Sequence, residues 1–135
     1  MRTSWLFSRT GKGKFANTVL TAGRSGGQVK AVSDWFGSPT STVDLAKAIA
    51  ALLESGATGI FHVANPGTQS RLEQANEILA ALGGTHAADV VPVTSSLLAL
   101  PAPRPRYTAL ASERLGALGI SLRPRAEAVR EFVGV

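Results

Sequence analysis

The stretch Asp34-Trp35-Phe36-Gly37-Ser38-Pro39-Thr40-Ser41-Thr42-Val43-Asp44-Leu45-Ala46 joins an aromatic loop to the first turn of a helix. Gly37 removes the Cβ barrier to unusual backbone angles, and Pro39 fixes φ while removing a donor. Ser41 and Asp44 stand at capping-box spacing, so a hydroxyl and a carboxylate can each satisfy an orphan amide of the helix start. A rigid aromatic pair ahead of a helix N-terminus suits the wall of a ligand site. It suits equally a plug pinned to the core, and local chemistry leaves both open.

Downstream, Val43, Ala46, Ile49, Ala50 and Leu53 recur at helical spacing and predict an amphipathic helix with Gly56 at its C′ position. Gly59–Ala64 predicts a strand, Ile60-Phe61-His62-Val63 at its centre, stopped by the turn Asn65-Pro66-Gly67. Ser70 and Glu73 form a second capping-box pair before Leu72, Ala75, Ile78, Leu79 and Leu82, and Gly83-Gly84 ends that helix. Asp89–Val93 predicts another strand. Pro101, Pro103 and Pro105 then force an extended path that presents Arg104 and Arg106, after one helical turn around Leu97, Leu98 and Leu100. A short helix over Ser112–Leu118 follows. Pro124 suits the N1 position of a last helix striped by Val129, Phe132 and Val133.

Upstream, Arg2–Phe7 predicts a strand with Thr3, Trp5 and Phe7 on one face. Ser8–Lys14 is a Gly/Lys loop, but the P-loop spacing and the third glycine of a dinucleotide fingerprint are missing. Phe15, Val19, Leu20 and Ala22 predict a helix ending near Gly23 or Gly26-Gly27, and Gln28–Val32 a strand. Strand–helix alternation of this kind indicates an α/β or α+β unit.

At 135 residues, 44% hydrophobic and 17% charged, the chain is expected to form one folded domain. No apolar run approaches the roughly 18 residues that span a bilayer, and nothing near Met1 reads as a secretory signal. With no cysteine, disulfides and thiolate metal sites are excluded and the cytoplasm is the expected location. His62 and His86 lack ligand spacing, so no zinc site is expected. The net charge of +5 is unevenly placed: six basic and no acidic residues precede Asp34 (Arg2, Arg9, Lys12, Lys14, Arg24, Lys30), and arginines return from Arg104 onward. Such polarity suits an anionic partner such as a nucleotide, or simply a solvated surface.

In this order the segments resemble the C-terminal, substrate-binding portion of dTDP-4-dehydrorhamnose reductase, of the extended short-chain dehydrogenase/reductase superfamily. Arg2-Thr3-Ser4-Trp5 and Phe36-Gly37-Ser38-Pro39-Thr40 carry the resemblance most specifically. Asp44-Leu45-Ala46, Gly59–Ala64, Arg104-Pro105 and the terminal helix extend it over essentially all of residues 1–135. The resemblance implies an α/β (α+β-like) fragment, the C-terminal part of a Rossmann-type reductase without its N-terminal dinucleotide-binding half. It also implies NADPH-dependent reduction of a dTDP-linked 4-keto sugar. The sequence has no G-x-x-G-x-x-G, and its one tyrosine, Tyr107, has Ala111 where the Tyr-x-x-x-Lys pair needs lysine. No catalytic residue and no turnover are therefore expected of this chain alone.

By resemblance, Trp5 stacks on or packs against the sugar nucleotide, and Phe15, Phe36, Gly37 and Pro39 line its pocket. Arg104, and less strongly Arg106, meets the diphosphate through a planar guanidinium. Thr3 and Ser4 lie beside the nicotinamide end of the cofactor. Trp35 stands where the family usually has glutamine, and Lys14 where it often has asparagine. A second copy or a separate Rossmann chain is an expected partner, and no membrane. Two other readings stay open: a non-catalytic regulatory module of the same fold, as in the regulatory subunit of methionine adenosyltransferase, and a basic nucleic-acid-binding protein.

Overall fold

A computed structural model describes residues 1–11, 14–83 and 88–135. Lys12 of the basic loop, Gly84 and His86 lie outside the described residues. In chain order the elements are β1 (Leu6–Phe7), α1 (Phe15–Ser25), β2 (Gly27–Val32), β3 (Phe36–Gly37), β4 (Thr40–Ser41) and α2 (Thr42–Glu54). They continue with β5 (Gln69–Ser70), α3 (Arg71–Ala81), β6 (Ala88–Val93), a 3-10 turn (Ser95–Leu97), β7 (Tyr107–Thr108), α4 (Glu113–Gly116) and α5 (Arg125–Val133).

Among the described residues the strands form three small sheets. β2 and β6 run parallel in register from Gly27 opposite Ala88 to Val32 opposite Val93. Pro92 is tolerated in β6 because its strand has one neighbour and no further ladder to feed. β1 and β4 pair in parallel, Leu6 with Thr40 and Phe7 with Ser41. β3 is central in the third sheet, antiparallel to β5 and parallel to β7. The two residues Phe36 and Gly37 thus draw together the start of α3 and the end of the proline-rich segment.

Side chains of α1, β2, α3 and α5 form the main core, including Val19, Val29, Ile78 and Val129. Phe7 enters it edge-on to Phe132, ring centroids 5.4 Å apart. A smaller core gathers Leu45, Ala48, Phe61, Val63 and Leu115. The α3 capping box forms as the sequence predicts: Ser70 Oγ accepts from the Glu73 amide at 3.1 Å, and Glu73 accepts from the Ser70 amide at 2.6 Å. Gly56, at φ 62°, sits just past α2, a conformation that glycine adopts without a Cβ clash.

Four expectations are corrected. Arg2–Phe7 is not one strand: Arg2 makes a single bridge to His62, and only Leu6–Phe7 pairs further on. The break falls at Trp5, whose φ of 45° turns the chain out of extended geometry. Gly59–Ala64 likewise stays a single bridge at His62, because its neighbour leaves the ladder there. Pro124 is the N-cap of α5 rather than its first helical residue.

The fourth correction concerns α2. Ser41 makes no side-chain cap, and Asp44 does not close a capping box. Asp44, 4% exposed, instead accepts from Asn65 Nδ2 at 2.7 Å and pairs with Arg123 Nε at 2.8 Å. Asn65 Oδ1 takes over the cap, accepting the Ser41 amide at 2.8 Å. The helix is therefore rotated so that Asp44, Leu45 and Ala48 face inward, while Val43, Ala46, Ala50 and Leu53 face outward. A buried carboxylate needs its partners more than Val43 needs burial. Asp44 in turn raises the Arg123 guanidinium above its ordinary range through their hydrogen bond.

Removing one member of this knot leaves buried polar groups unmatched. Because Arg123 is 27% exposed, solvent screens part of the loss. Asp44→Ala is expected to destabilise the chain by roughly 2–4 kcal/mol, and Ser41→Ala, which donates no cap, by well under about 1 kcal/mol. Urea unfolding of the two variants checks the difference; equal midpoints would show that the knot contributes nothing.

Candidate functional site

Trp5, Phe15, Lys30, Val32, Trp35, Arg71, Val93, Leu98, Leu100, Arg104, Pro105 and Thr108 enclose a cavity of about 540 Å³. That volume lies within the range of small-molecule sites. Each wall comes from an element already placed. β2 supplies Lys30 and Val32, the loop before β3 supplies Trp35, and the start of α3 supplies Arg71. The extended segment supplies Leu98 to Pro105. Asp34 ties that segment down, accepting the Ser95 amide at 2.7 Å and the Ser95 hydroxyl at 2.8 Å. The Ser95 hydroxyl holds the Asp34 carboxyl below its usual range, and the nearby Arg106 charge adds to the effect.

At the centre is a sandwich. A Cβ placed on Gly37 would lie 2.4 Å from Trp5 Cε2 and 2.7 and 2.8 Å from its bonded neighbours Cδ2 and Cζ2. An atom that close to a ring-fusion carbon stands over the ring, so the Gly37 backbone lies on one face of the indole. The Arg71 guanidinium lies over the ring at 3.7 Å from its centroid. Both groups cannot share one face without overlapping, so the indole is covered on both sides. Trp5 is the one non-glycine among the described residues with positive φ, a strained conformation that persists only where its surroundings hold it. Gly37 is the residue that makes room for it.

The site residues expected from the sequence fall into three places. Trp5, Phe15 and Arg104 meet at the cavity. Phe36, Gly37 and Pro39 are outside its lining: Gly37 backs Trp5, Phe36 donates its amide to the Arg106 carbonyl at 2.7 Å, and Pro39 is fully buried. The Arg106 side chain is exposed and outside the lining. Thr3 and Ser4 line a separate cavity of about 420 Å³ with Arg2, Thr108, Ala109 and Leu110. Thr3 Oγ1 is buried there with no hydrogen-bond partner.

Sequence reasoning missed Lys30 and Arg71. Arg71 follows directly on the Ser70 cap, at a helix N-terminus where the dipole disfavours a cation. That misplaced charge was a legible signal. Burial without a compensating acid pulls the Arg71 guanidinium down to about 10, so it is still charged at neutral pH. Among the described residues no three His, Asp or Glu side chains gather as metal ligands, and no helix is long and apolar enough to cross a membrane.

This arrangement is that of the C-terminal part of extended, Rossmann-type reductases. A dTDP-4-dehydrorhamnose reductase from Clostridium acetobutylicum superposes with a TM-score of 0.84 at 32% identity, covering 98% of this chain and 46% of that one. The Bacillus anthracis dTDP-4-dehydrorhamnose reductase, solved in complex with NADP, gives 0.83 at 30% identity over 97% of this chain and 45% of its own. In sequence, the chain is 36% identical over 135 residues to dTDP-4-dehydrorhamnose reductase of Mycolicibacterium smegmatis, covering 98% of this chain and 41% of that protein. Residues 1–134 match the RmlD substrate binding domain, and the chain belongs to that family. It spans under half the length of these relatives.

Gly37→Ala drives a methyl into the indole and is expected to expel Trp5 from its stack, destabilising the chain by about 1–3 kcal/mol. The near-ultraviolet circular dichroism of Trp5, compared in a Trp35→Phe background, checks this. An unchanged spectrum would show that the sandwich does not hold in solution.

Proposed function

We propose that residues 1–135 are the substrate-binding portion of a reductase acting on a dTDP-linked 4-keto sugar, and that the cavity beside Trp5 takes the nucleotide diphosphate. The observation that carries this is the cavity's charge balance: Lys30, Arg71 and Arg104 line it and no carboxylate does. Apolar and aromatic walls with a few convergent cations suit a nucleoside diphosphate. Arg104 is the main diphosphate contact, and Arg106 outside the lining the lesser one. Phe15 and Trp5 give the apolar wall, Gly37 backs Trp5, and Phe36 and Pro39 are the further residues of the same stretch assigned to the nucleotide pocket.

Bound NADPH would supply the hydride in this scheme. The orphaned Thr3 hydroxyl beside Ser4 suits the carboxamide at the nicotinamide end, which offers both a donor and an acceptor. The glycine fingerprint and the Tyr-x-x-x-Lys pair belong to a Rossmann unit, so this chain's own part is to bind and orient the sugar nucleotide. The outward stripe Val43, Ala46, Ala50 and Leu53 is a surface available to such a unit or to a second copy, and the setting is the cytoplasm.

Titration of the chain with dTDP, followed by calorimetry, tests the proposal. Saturable binding is expected, weakened about tenfold or more by Arg104→Ala, with no NADPH oxidation when the 4-keto sugar nucleotide is added. Turnover by the purified chain would refute the binding-only role. Duplex DNA binding with a steep salt slope and no dTDP binding would favour a nucleic-acid partner instead.

A further inference from the structure

Arg71 is held in place without being neutralised. Its guanidinium lies 3.7 Å over Trp5 and 5.1 Å from the Phe15 ring centroid, and Nη1 donates to Gln74 Oε1 at 2.8 Å. Gln74 is itself buried, 2% exposed, and so a fixed acceptor. The other half-buried arginines are treated differently. Arg123 pairs with Asp44 and Glu131, and Arg125 with Glu77. No ion pair to Arg71 occurs among the described residues, although its donor fork is half-buried and opens on the cavity. A guanidinium has five N–H donors, and Gln74 takes one.

Two aromatic rings and an amide thus hold a cation for which the described residues provide no counter-charge. Its neighbours in the lining, Lys30 and Arg104, repel it rather than pair with it. We propose that Arg71 is a second anion anchor of this cavity, gripping the diphosphate together with Arg104, and that Trp5 is the base on which Arg71 is mounted. The assignment deepens the sugar-nucleotide reading and rests on it for the identity of the ligand. The anion itself rests on Arg71 alone.

The test compares three probes, dTDP, thymidine and inorganic pyrophosphate, on the whole chain and on Arg71→Gln and Arg71→Lys. For Arg71→Gln, affinity for dTDP and pyrophosphate is expected to fall about tenfold to a hundredfold, with thymidine binding unchanged. Arg71→Lys keeps the charge without the planar fork and is expected to recover only part of the loss. Unchanged dTDP affinity in Arg71→Gln would overturn the proposal. So would an equal loss for thymidine, since Arg71 would then merely brace the wall. Pyrophosphate binding that depends on Arg71 in a chain that ignores dTDP would uphold the anion anchor and remove the sugar-nucleotide reading.

Discussion

The Asp44 carboxylate is buried, and that constraint organises the rest of the structure. A charge taken out of water must be met by donors, and Asn65 and Arg123 meet it from the loop after the His62 bridge and from the approach to α5. Three distant parts of the chain are joined by these few bonds. Asn65 then caps α2 through the Ser41 amide, so β4, which ends at Ser41, is positioned by the same group. β4 pairs with β1, and β1 brings Phe7 to the main core and Trp5 to the cavity. The orientation of the site is thereby tied to a salt bridge that lies outside the lining of the Trp5 cavity.

The site itself combines features that each oppose stability. Trp5 adopts positive φ, Arg71 is partly desolvated without an acid, and Gly37 gives up a side chain to admit the indole. Each is compensated by the next: the glycine accommodates the strained tryptophan, and the ring offers its face to the cation. β3 makes this possible because Gly37 pairs with Gln69, only two residues before Arg71. The same two-residue strand holds β7 on its other side, which brings the Arg104 segment to the cavity. Concentrated strain and unmatched charge in one place are what a binding site retains and a structural core sheds.

Much of this was legible from residue pattern. The α3 capping box, the inward stripe of α5 and the alternation of strands and helices follow from local rules. So does the absence of helix and strand through the proline-rich segment, residues 101–105. The outward-facing stripe of α2 was misread because helical periodicity measures hydrophobicity, and Asp44 overrides it through partners 21 and 79 residues away. The break at Trp5 was equally hidden, since nothing in Arg2–Phe7 itself disfavours a strand. Trp5 and Arg104 were found through family resemblance; Arg71 carried a local signal at the helix N-terminus, but its place beside Trp5 needed the pairing of β3 with β5.

What the sequence determined by itself is the set of parts: which segments are helical, where prolines keep the chain from being so, and that the chain carries a surplus of cations. Those properties depend on neighbours three or four residues apart, where propensity, capping and proline geometry act. Only the tertiary structure decided which face of α2 is buried, which arginines are neutralised and which one is left free beside an indole. Those outcomes depend on who meets whom across the fold, and a buried charge can override any local preference once its partners are in reach.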